Sequence, residues 1–411
     1  MLKKTFTYDR TRMIVAVLLA MTTACVFFGM TFDFRGMYWS DSPDHIEAAI
    51  SLEGYGLETI LFYFISRFAD YPFLQLLFAL WETAVFMATW FFCQKFIEDF
   101  FHVNRWLNLL VATGLMFLCS IYIPVFCPTF YMYSLGTQPW HSSTQLAMRL
   151  GAVIFLYYFL DVYPEYRDGI SKEKWLRLSV LLAVTTMLKP NFLISFCAAF
   201  GVVLLRDLLR ERTKEEFTRA FQFGSIIVPS LTVLGVQYWL IYASDLGDTS
   251  SGIQLVLFSD LLWEGSALHM LFKLGRDLAF PLLGWSVVAF TERDMDNKSF
   301  SASNDINSIR FLFLMYLLSL AMFSLFKESG HRGTHGNFGW GVLMSYFMMF
   351  LYLVPAFIKS SMIYRKKILT DRCHSVMIKF TYAQGIILLI LHFASGVFYF
   401  LWIASGRIYW R

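Results

Sequence analysis

Two carboxylates and a histidine follow the first long apolar stretch of the chain. Asp41 and Asp44 flank Ser42-Pro43, and His45 comes next. A carboxylate at a membrane surface can act as general base toward an acceptor hydroxyl, and this pair could hold a divalent cation such as Mg²⁺ or Mn²⁺. Asp44 also has a structural explanation, since acidic side chains in a first helical turn suit the helix dipole. We expect catalysis by Asp41 or Asp44 and substrate binding by His45.

A second group of polar side chains surrounds the start of a later apolar stretch. Trp140 and His141 follow a turn with Gly and Pro, and Arg149 lies within the stretch. Tryptophan beside histidine offers a sugar a flat face and a polar handle, although interfacial tryptophan is common in membrane proteins. The charge of Arg149 needs a partner, and a lipid phosphate or an outer-loop carboxylate would serve. We expect these three side chains to bind substrate, with a structural role for His141 as the alternative.

Lys189 stands inside an apolar segment, in the run Leu188-Lys189-Pro190-Asn191-Phe192. Proline breaks a helix, so Lys189 is expected at a break at or near bilayer depth. Irregular backbone at that depth persists only where it is buried in protein or lines a wet cavity, and an ionisable residue there indicates function. We expect Lys189 to bind substrate; the alternative is a lysine that extends outward to water from a short helix.

A glycine-rich run with two histidines precedes a late apolar stretch. Glycine lets the backbone approach a ligand closely, and a guanidinium can hold a phosphate through two hydrogen bonds. Histidines four residues apart have metal-ligand spacing only on a helix, which the glycines disfavour. A flexible turn without a ligand is the alternative. The side chains expected to bind substrate here are His331, Arg332, His335 and Asn337.

The elements that must position these residues are membrane helices. Of the residues, 57% are hydrophobic and only 16% are charged, against about 25% charged in a soluble domain. Several stretches reach the roughly 20 apolar residues that cross a hydrocarbon core. The predicted spans are Met13–Phe32, Phe73–Gln94, Trp106–Phe126, Thr144–Val162, a hairpin at Leu178–Leu205, Phe221–Ala243, Leu278–Phe290, Phe311–Phe326, Phe338–Ile358 and Phe380–Ala404.

Positive charge is unevenly divided between the two sides of this arrangement. With the N-terminus inside, 24 of the 34 Lys and Arg residues fall in cytoplasmic segments, namely 1–12, 95–105, 163–177, 206–219, 291–310 and 359–379. This asymmetry follows the positive-inside rule. Most of the candidate chemical groups then lie on the opposite side. We expect a multi-pass plasma-membrane protein with a cytoplasmic N-terminus and an extracytoplasmic active site.

The hairpin and two short segments make the predicted topology irregular. Both flanks of the hairpin are basic, yet its 28 residues cannot form two full spans. Segments 42–52 and 57–68 suit helices that lie at the interface, with Ser42 as the N-cap of the first. The fold class is therefore an all-α polytopic membrane protein with about 10–12 membrane helices, a broken or short hairpin among them. It forms a single transmembrane domain over residues 1–411.

With these features in view, the chain resembles bacterial members of the C-type (GT-C) membrane glycosyltransferases. The resemblance rests on the cytoplasmic N-terminus, the number of spans, and an acidic residue in the first outer loop beside short interfacial helices. The Trp140-His141 loop and Lys189-Pro190-Asn191 are also similar to features of bacterial proteins of this group. The likeness covers most of the chain and includes no motif specific to the family. The large soluble C-terminal domain of some members is not expected here.

The resemblance implies a sugar donor on a polyprenyl phosphate in the outer leaflet. Asp41 or Asp44 would deprotonate the acceptor hydroxyl, and Lys189, Arg149 or Arg332 would neutralise the departing phosphate. The anomeric carbon would be attacked from the face opposite the phosphate, with inversion. The acceptor would be a glycan, a glycolipid or a protein of the cell envelope, as in polysaccharide biosynthesis. No nucleotide-sugar site is expected, since no Gly-rich phosphate loop occurs, and no nucleic-acid partner is expected.

Two other functions fit the same sequence. A transporter or flippase of lipid-linked sugars would also use broken helices and buried charge. Against it, no internal repeat is visible, and the polar groups crowd one side of the membrane instead of its midplane. A non-catalytic membrane protein with a GT-C-like fold is the third possibility, and it should tolerate substitution of both Asp41 and Asp44.

Overall fold

The computed structural model of the chain consists almost entirely of α-helices. It describes residues 2–32, 40–53, 56–125, 135–136, 138–240, 252–257, 267–294, 302–330, 337–368 and 375–407. Two short strands, β1 (Ile253–Leu255) and β2 (Phe326–Glu328), pair antiparallel. The helices are α1 (Leu2–Phe32), α2 (Ser42–Ser51), α3 (Leu57–Ser66), α4 (Tyr71–Phe101), α5 (Arg105–Met116), α6 (Ser143–Val162), α7 (Lys172–Leu188), α8 (Asn191–Glu211), α9 (Lys214–Gly224), α10 (Val228–Tyr238), α11 (Ala267–Asp294), α12 (Ala302–Leu325), α13 (Gly339–Ile368) and α14 (Ser375–Ala404).

Eight helical segments within the described ranges are long and apolar enough to cross a membrane. In hydrocarbon every backbone N–H and C=O must bond within the protein, and a helix achieves this within one segment. The predicted all-α polytopic membrane class is therefore confirmed. The eight segments are Thr7–Phe32, Tyr71–Phe101, Ser143–Val162, Asn191–Glu211, Lys214–Tyr238, Ile306–Leu325, Gly339–Ile363 and Lys379–Ala404.

The predicted number of about 10–12 membrane helices exceeds these eight because several helices are short or charged. The predicted span 106–126 overlaps α5, which has only 12 residues. The helix α7 has 17 residues, against the roughly 20 of a full span. The predicted span 278–290 lies within α11, which has 28 residues but carries Lys273, Arg276 and Asp277 in its first half.

The helix α13 is the centre of the bundle. Of the 18 residues in its most apolar stretch, 89% are buried inside the protein. The helix contacts α4, α5, α6, α8, α11 and α12. In a membrane, lipid or protein can cover a helix that is apolar on all sides, and these contacts show that protein covers α13. The start of α13 is consequently surrounded by other helices, and this start carries Trp340.

The hairpin predicted at 178–205 forms two helices that break at Lys189-Pro190. The helix α7 ends at Leu188, α8 begins at Asn191, and Lys189 between them is extended, with φ −164° and ψ 131°. A residue before proline favours this conformation because the proline ring disfavours the helical one. Both helices continue beyond the predicted limits into the basic flanks, which gives them 17 and 21 residues.

The two short segments predicted beside the membrane form α2 and α3, with ten residues each. An apolar cluster joins them to α4, formed by Ile46, Ala49, Phe62, Leu74 and Phe78. The prediction of Ser42 as N-cap is wrong. The helix begins at Ser42 with Asp41 in the cap position, and the Ser42 hydroxyl donates to Glu82 of α4 at 3.0 Å instead.

The helix α14 touches the end of α5 at Gly396. A Cβ atom built on Gly396 would lie 1.4 Å from the Phe117 carbonyl oxygen, a backbone atom that cannot move aside alone. We predict that Gly396→Ala lowers the free energy of unfolding by about 3 kcal/mol. The matched control is Gly201→Ala in α8, where a Cβ meets nothing within 4 Å and helix propensity improves by up to about 1 kcal/mol. Thermal unfolding in detergent compares the two; equal melting temperatures would contradict the close contact.

Candidate functional site

Helix ends from four parts of the chain meet around Lys189 and bring predicted residues together. The Asp41 N–H, just before α2, donates to the His141 carbonyl oxygen at 3.0 Å. The Lys189 Nζ, at the break between α7 and α8, lies 3.3 Å from Thr144 Oγ1 and 3.5 Å from Ser142 Oγ at the start of α6. This place is called the Asp41–Lys189 site; the side chains that define it are Asp41, His45, His141, Lys189 and Trp340.

The indole of Trp340 is one wall of the site. The Lys189 ammonium lies 4.2 Å from the centroid of this ring, where the negative face of the π system attracts a cation. The His141 ring stands 5.6 Å from the same indole, centroid to centroid. Lys189 therefore has an aromatic surface on one side and hydroxyl oxygens on the other.

Hydrogen bonds from three elements fix the start of α13, and with it Trp340. The Asn337 carbonyl oxygen accepts from Asn191 Nδ2 of α8 at 2.6 Å, and the Asn337 side-chain amide donates to Glu328 of β2. The Trp340 carbonyl oxygen accepts from Gln145 Nε2 of α6 at 3.2 Å. The predicted ligand Asn337 thus lies beside the site, and its observed contacts hold Trp340 in place.

Two buried carboxylates support the helices that begin at the site. Glu82 of α4, which is 0% exposed, accepts from the hydroxyl of Ser42, the residue after Asp41. Glu58 of α3, which is 2% exposed, accepts from Ser143 Oγ at 2.5 Å and from an indole N–H of α4 at 2.8 Å. Each carboxylate therefore holds the first residue of a helix, α2 or α6, that leads directly into the site.

Burial and the charge of Lys189 determine the ionisation of the site. Burial raises the pKa of Asp41 to about 6, while the Lys189 charge lowers it and the Asp44 charge adds to the rise. Burial lowers the pKa of His45 to about 4, and Lys189 lowers it further. Burial, Lys189 and His45 together hold the pKa of His141 well below its usual value. At neutral pH the site therefore combines two neutral imidazoles with an ionised Asp41.

Trp140 and Arg149 lie behind the site, in the core. The Trp140 ring is 1% exposed and packs among Phe27, Phe86, Phe117 and Phe400. Arg149 donates to the side-chain oxygen of Gln138, and its guanidinium lies 4.6 Å from the Phe347 ring centroid. Within the described ranges it forms no salt bridge. These contacts attach the loop before α6 to the bundle; substrate binding by Trp140 and Arg149 stays a prediction.

The remaining predicted residues differ in how the structure places them. Asp44 is exposed in the first turn of α2, close enough for its charge to act on Asp41. His331, Arg332 and His335 lie outside the described residues. Substrate binding by these three side chains therefore stays a prediction.

Sequence reasoning misses Trp340, Glu58 and Glu82. Glu82 could have been identified from sequence, because it lies inside the predicted span 73–94 and an ionisable residue within a span indicates function. Glu58 lies in the segment predicted to rest at the interface, where a carboxylate needs no explanation. Trp340 carried no signal, since aromatic residues are common throughout this chain.

A metal ion at the site stays a prediction. Across the described ranges, no group of three or more His, Cys, Asp or Glu side chains stands in an arrangement that could hold one. Asp41 and Asp44 remain the predicted pair for Mg²⁺ or Mn²⁺, and a pair of carboxylates leaves most of the six or more ligands of such a cation to water or substrate.

Comparison of the chain with protein-family models, with curated proteins and with solved structures gives no match. Its class therefore rests on its own helices and side chains. They define a multi-pass membrane protein with a carboxylate, two imidazoles and an ammonium group gathered where helices begin and end.

Asp41 and His45 are expected to act in opposite directions on the pH dependence of stability. Between about pH 4 and 6, folded Asp41 keeps a proton that the unfolded chain has lost, so its contribution lowers stability as pH rises. Between about pH 4 and 6.5, folded His45 lacks a proton that the unfolded chain still binds, so its contribution raises stability as pH rises.

We predict that single substitutions separate these two contributions. Relative to wild type, the melting temperature of Asp41→Asn should rise as the pH increases from about 4 to 6, and that of His45→Gln should fall from about 4 to 6.5. Each variant serves as the control for the other, because general effects of pH on the protein are shared. Curves that run parallel to wild type would show that neither group is buried as described.

Proposed function

We propose that the protein is a glycosyltransferase that moves a sugar from a polyprenyl-phosphate donor to an extracytoplasmic acceptor with inversion. The observation that carries the proposal is the meeting of Asp41 and Lys189, a base and a cation supplied by distant parts of the chain. Inverting sugar transfer requires a base that deprotonates the acceptor hydroxyl and a positive charge that stabilises the leaving phosphate. The resemblance to GT-C enzymes supports the same reaction.

Asp41 is the base in this mechanism. Its carboxylate takes the proton of the acceptor hydroxyl as that oxygen forms its bond to the anomeric carbon. Asp41 is partly buried beside Lys189, whereas Asp44 is exposed. A general base is most effective when its pKa lies near the working pH, and burial raises the pKa of Asp41 to about 6. Of the two predicted carboxylates, we therefore assign the role to Asp41.

Lys189 stabilises the leaving group. The bond between the anomeric carbon and the phosphate oxygen breaks, and the polyprenyl phosphate departs with the electron pair. The ammonium lies 3.3 and 3.5 Å from the hydroxyl oxygens of Thr144 and Ser142, which is long for hydrogen bonds. Shorter, charge-assisted bonds to phosphate oxygens would replace them at a gain in energy.

An apolar groove beside the site suits the lipid part of such a donor. Its volume is about 360 Å³, and its wall includes Met187, two residues before Lys189. Among the described residues that line it, all but Thr232 and Gln237 are apolar and none is charged. The lining residues are Leu52, Ile60, Met187, Thr232, Val233, Val236, Gln237 and Leu240.

Trp340 and His141 suit the sugar. A sugar stacks on an aromatic face and needs hydrogen-bonding groups at its edge. Trp340 presents its ring beside the Lys189 ammonium, and the neutral imidazole of His141 stands next to that ring. Both indoles are buried, but Trp340 lies beside the Lys189 ammonium, whereas Trp140 packs among four phenylalanine rings. We therefore propose Trp340 as the stacking surface.

The first test is sugar transfer from a radiolabelled polyprenyl-phosphate donor pool by the purified protein. We predict that Asp41→Asn lowers the rate about 10³-fold, since a general base contributes on that order. Glu47→Gln is the matched control, an equal change of charge on an exposed side chain of α2, and should stay within about threefold of wild type. Melting curves establish folding of both variants. Equal rates for wild type and Asp41→Asn would remove Asp41 as the base.

The pH dependence of transfer should follow Asp41. We predict that kcat/KM rises with pH up to about 6, because only the ionised carboxylate can accept the proton. Lys189→Gln should move this limb to higher pH, since the Lys189 charge lowers the pKa of Asp41. Lys214→Gln, which removes a charge at the start of α9, is the control. A limb that stays in place in Lys189→Gln would contradict the assignment.

Glu58 and Glu82 favour a second candidate, transport of lipid-linked sugars. Both carboxylates are buried among helices, and the described residues that hydrogen-bond them are hydroxyls and an indole, not cations. Such groups can carry protons in coupled transport. Movement of a lipid-linked sugar across liposome membranes without acceptor decides between the candidates. A transporter would move the lipid and lose this activity in Glu82→Gln, whereas a transferase would not move it.

A further inference from the structure

A second buried polar cluster lies in the C-terminal half of the bundle, apart from the Asp41–Lys189 site. Asp277 of α11, which is 0% exposed, forms a salt bridge with its neighbour Arg276 at 2.8 Å. Tyr316 of α12, Tyr346 of α13 and His392 of α14 are fully buried around this pair. The proposed transfer reaction uses none of these side chains, and five polar side chains in the centre of a membrane bundle are costly without a purpose.

Asp277 and Tyr346 contact Leu135 and Gly136, which belong to the loop that precedes α6. The Leu135 N–H donates to Asp277 Oδ2 at 3.0 Å. The Tyr346 hydroxyl donates to the Asp277 carbonyl oxygen at 3.2 Å and lies 3.5 Å from His392 Nδ1. Gly136 rests directly on the Tyr346 ring, since a Cβ atom there would lie 2.3 Å from Cε1 of that ring. Only glycine lets the loop cross Tyr346 at this distance.

Near its end, the same loop is hydrogen-bonded to the backbone of Asp41. Along it, Gln138 accepts a hydrogen bond from Arg149 of α6, and Trp140 is packed among phenylalanine rings. The carbonyl oxygen of the next residue, His141, then accepts the Asp41 N–H at 3.0 Å. The described residues of this loop are thus attached at Leu135, at Gln138 and at His141, and His141 is hydrogen-bonded to the backbone of the proposed base.

We propose that Asp277 and Tyr346 are positioning residues, which hold the described residues of the loop before α6 (135–136 and 138–142) so that His141 and Asp41 keep the geometry needed for reaction. The inference rests on the proposed transferase function for its kinetic consequence. Its structural consequence, a fixed loop, is independent of that function. A displacement of about 1 Å at reacting groups costs about a hundredfold in rate, so a fixed loop matters even though Asp277 lies far from the base in sequence.

The test substitutes Tyr346, because removing the Asp277 carboxylate would break its buried salt bridge with Arg276 and endanger folding. Tyr346→Phe keeps the ring under Gly136 and removes only the hydroxyl. The matched control is Tyr316→Phe on α12. Its ring is 5.6 Å from that of Tyr346 and is equally buried, but its hydroxyl has no hydrogen-bond partner within the described residues.

We predict that Tyr346→Phe lowers kcat about tenfold and changes KM less than about twofold, because the geometry of the base is disturbed and the substrate contacts remain. Tyr316→Phe should match wild type in both constants. A residue that only stabilised the fold would lower the amount of active protein without changing the constants per active molecule. Equal kcat values for the two variants would overturn the positioning role.

A labelling experiment tests the loop without requiring any activity. Ser142→Cys, in a background without the native cysteines, places a thiol at a position that is 1% exposed. Its reaction with a membrane-impermeant maleimide should be about tenfold faster when Tyr346→Phe is added, as expected when one buried hydrogen bond no longer opposes local opening. Adding Tyr316→Phe should leave the rate unchanged.

The two measurements separate the two proposals. Faster labelling in Tyr346→Phe with no transfer by wild type would support the fixed loop and remove the transferase. Transfer by wild type with unchanged labelling and unchanged kcat in Tyr346→Phe would support the transferase and overturn the positioning role. Faster labelling with unchanged kcat would show that the loop is attached there but that the attachment does not serve Asp41.

Discussion

The rest of the site depends on the electrostatic cost of Lys189. An ammonium group among membrane helices is unstable unless nearby groups compensate its charge. Here the compensation comes from the carboxylate of Asp41, the face of Trp340 and the hydroxyls at the start of α6. These partners belong to helix ends that are far apart in the chain. The charge of Lys189 is therefore compensated only when all of these helix ends meet.

The same requirement explains why the polar groups of the site differ in ionisation. Close to Lys189, a carboxylate gains from the positive charge, while an imidazole loses by accepting a proton. Burial, reinforced by Lys189, therefore keeps His45 and His141 neutral, so that they can offer hydrogen bonds without repelling the cation. Burial and one fixed charge together divide neighbouring groups into a charged base and neutral polar contacts, a division that acid–base catalysis generally needs.

The parts of this arrangement that local patterns determine could be predicted from sequence. Lys189 before Pro190 predicted both the helix break and an unusual charge within the membrane helices. The apolar stretches predicted most of the helices. The pairing of Asp41 with His141, 100 residues apart, leaves no local trace, because it results from the packing of α1, α4 and α6. For the same reason Trp140 resembled a binding surface in sequence, whereas four phenylalanines from distant helices bury it.

The helix α7 has a consequence for how the protein enters the membrane. It has 17 residues and begins with Lys172-Glu173-Lys174, and it is not among the segments apolar enough to cross alone. In the folded protein α6, α8 and α10 cover it. Of its neighbours, α6 and also α3 precede α7 in the chain, whereas α8 and α10 follow it. When α7 is synthesised, only part of the protein surface that covers it in the fold therefore exists. The place of α7 in the membrane therefore depends on its packing against neighbouring helices as well as on its hydropathy.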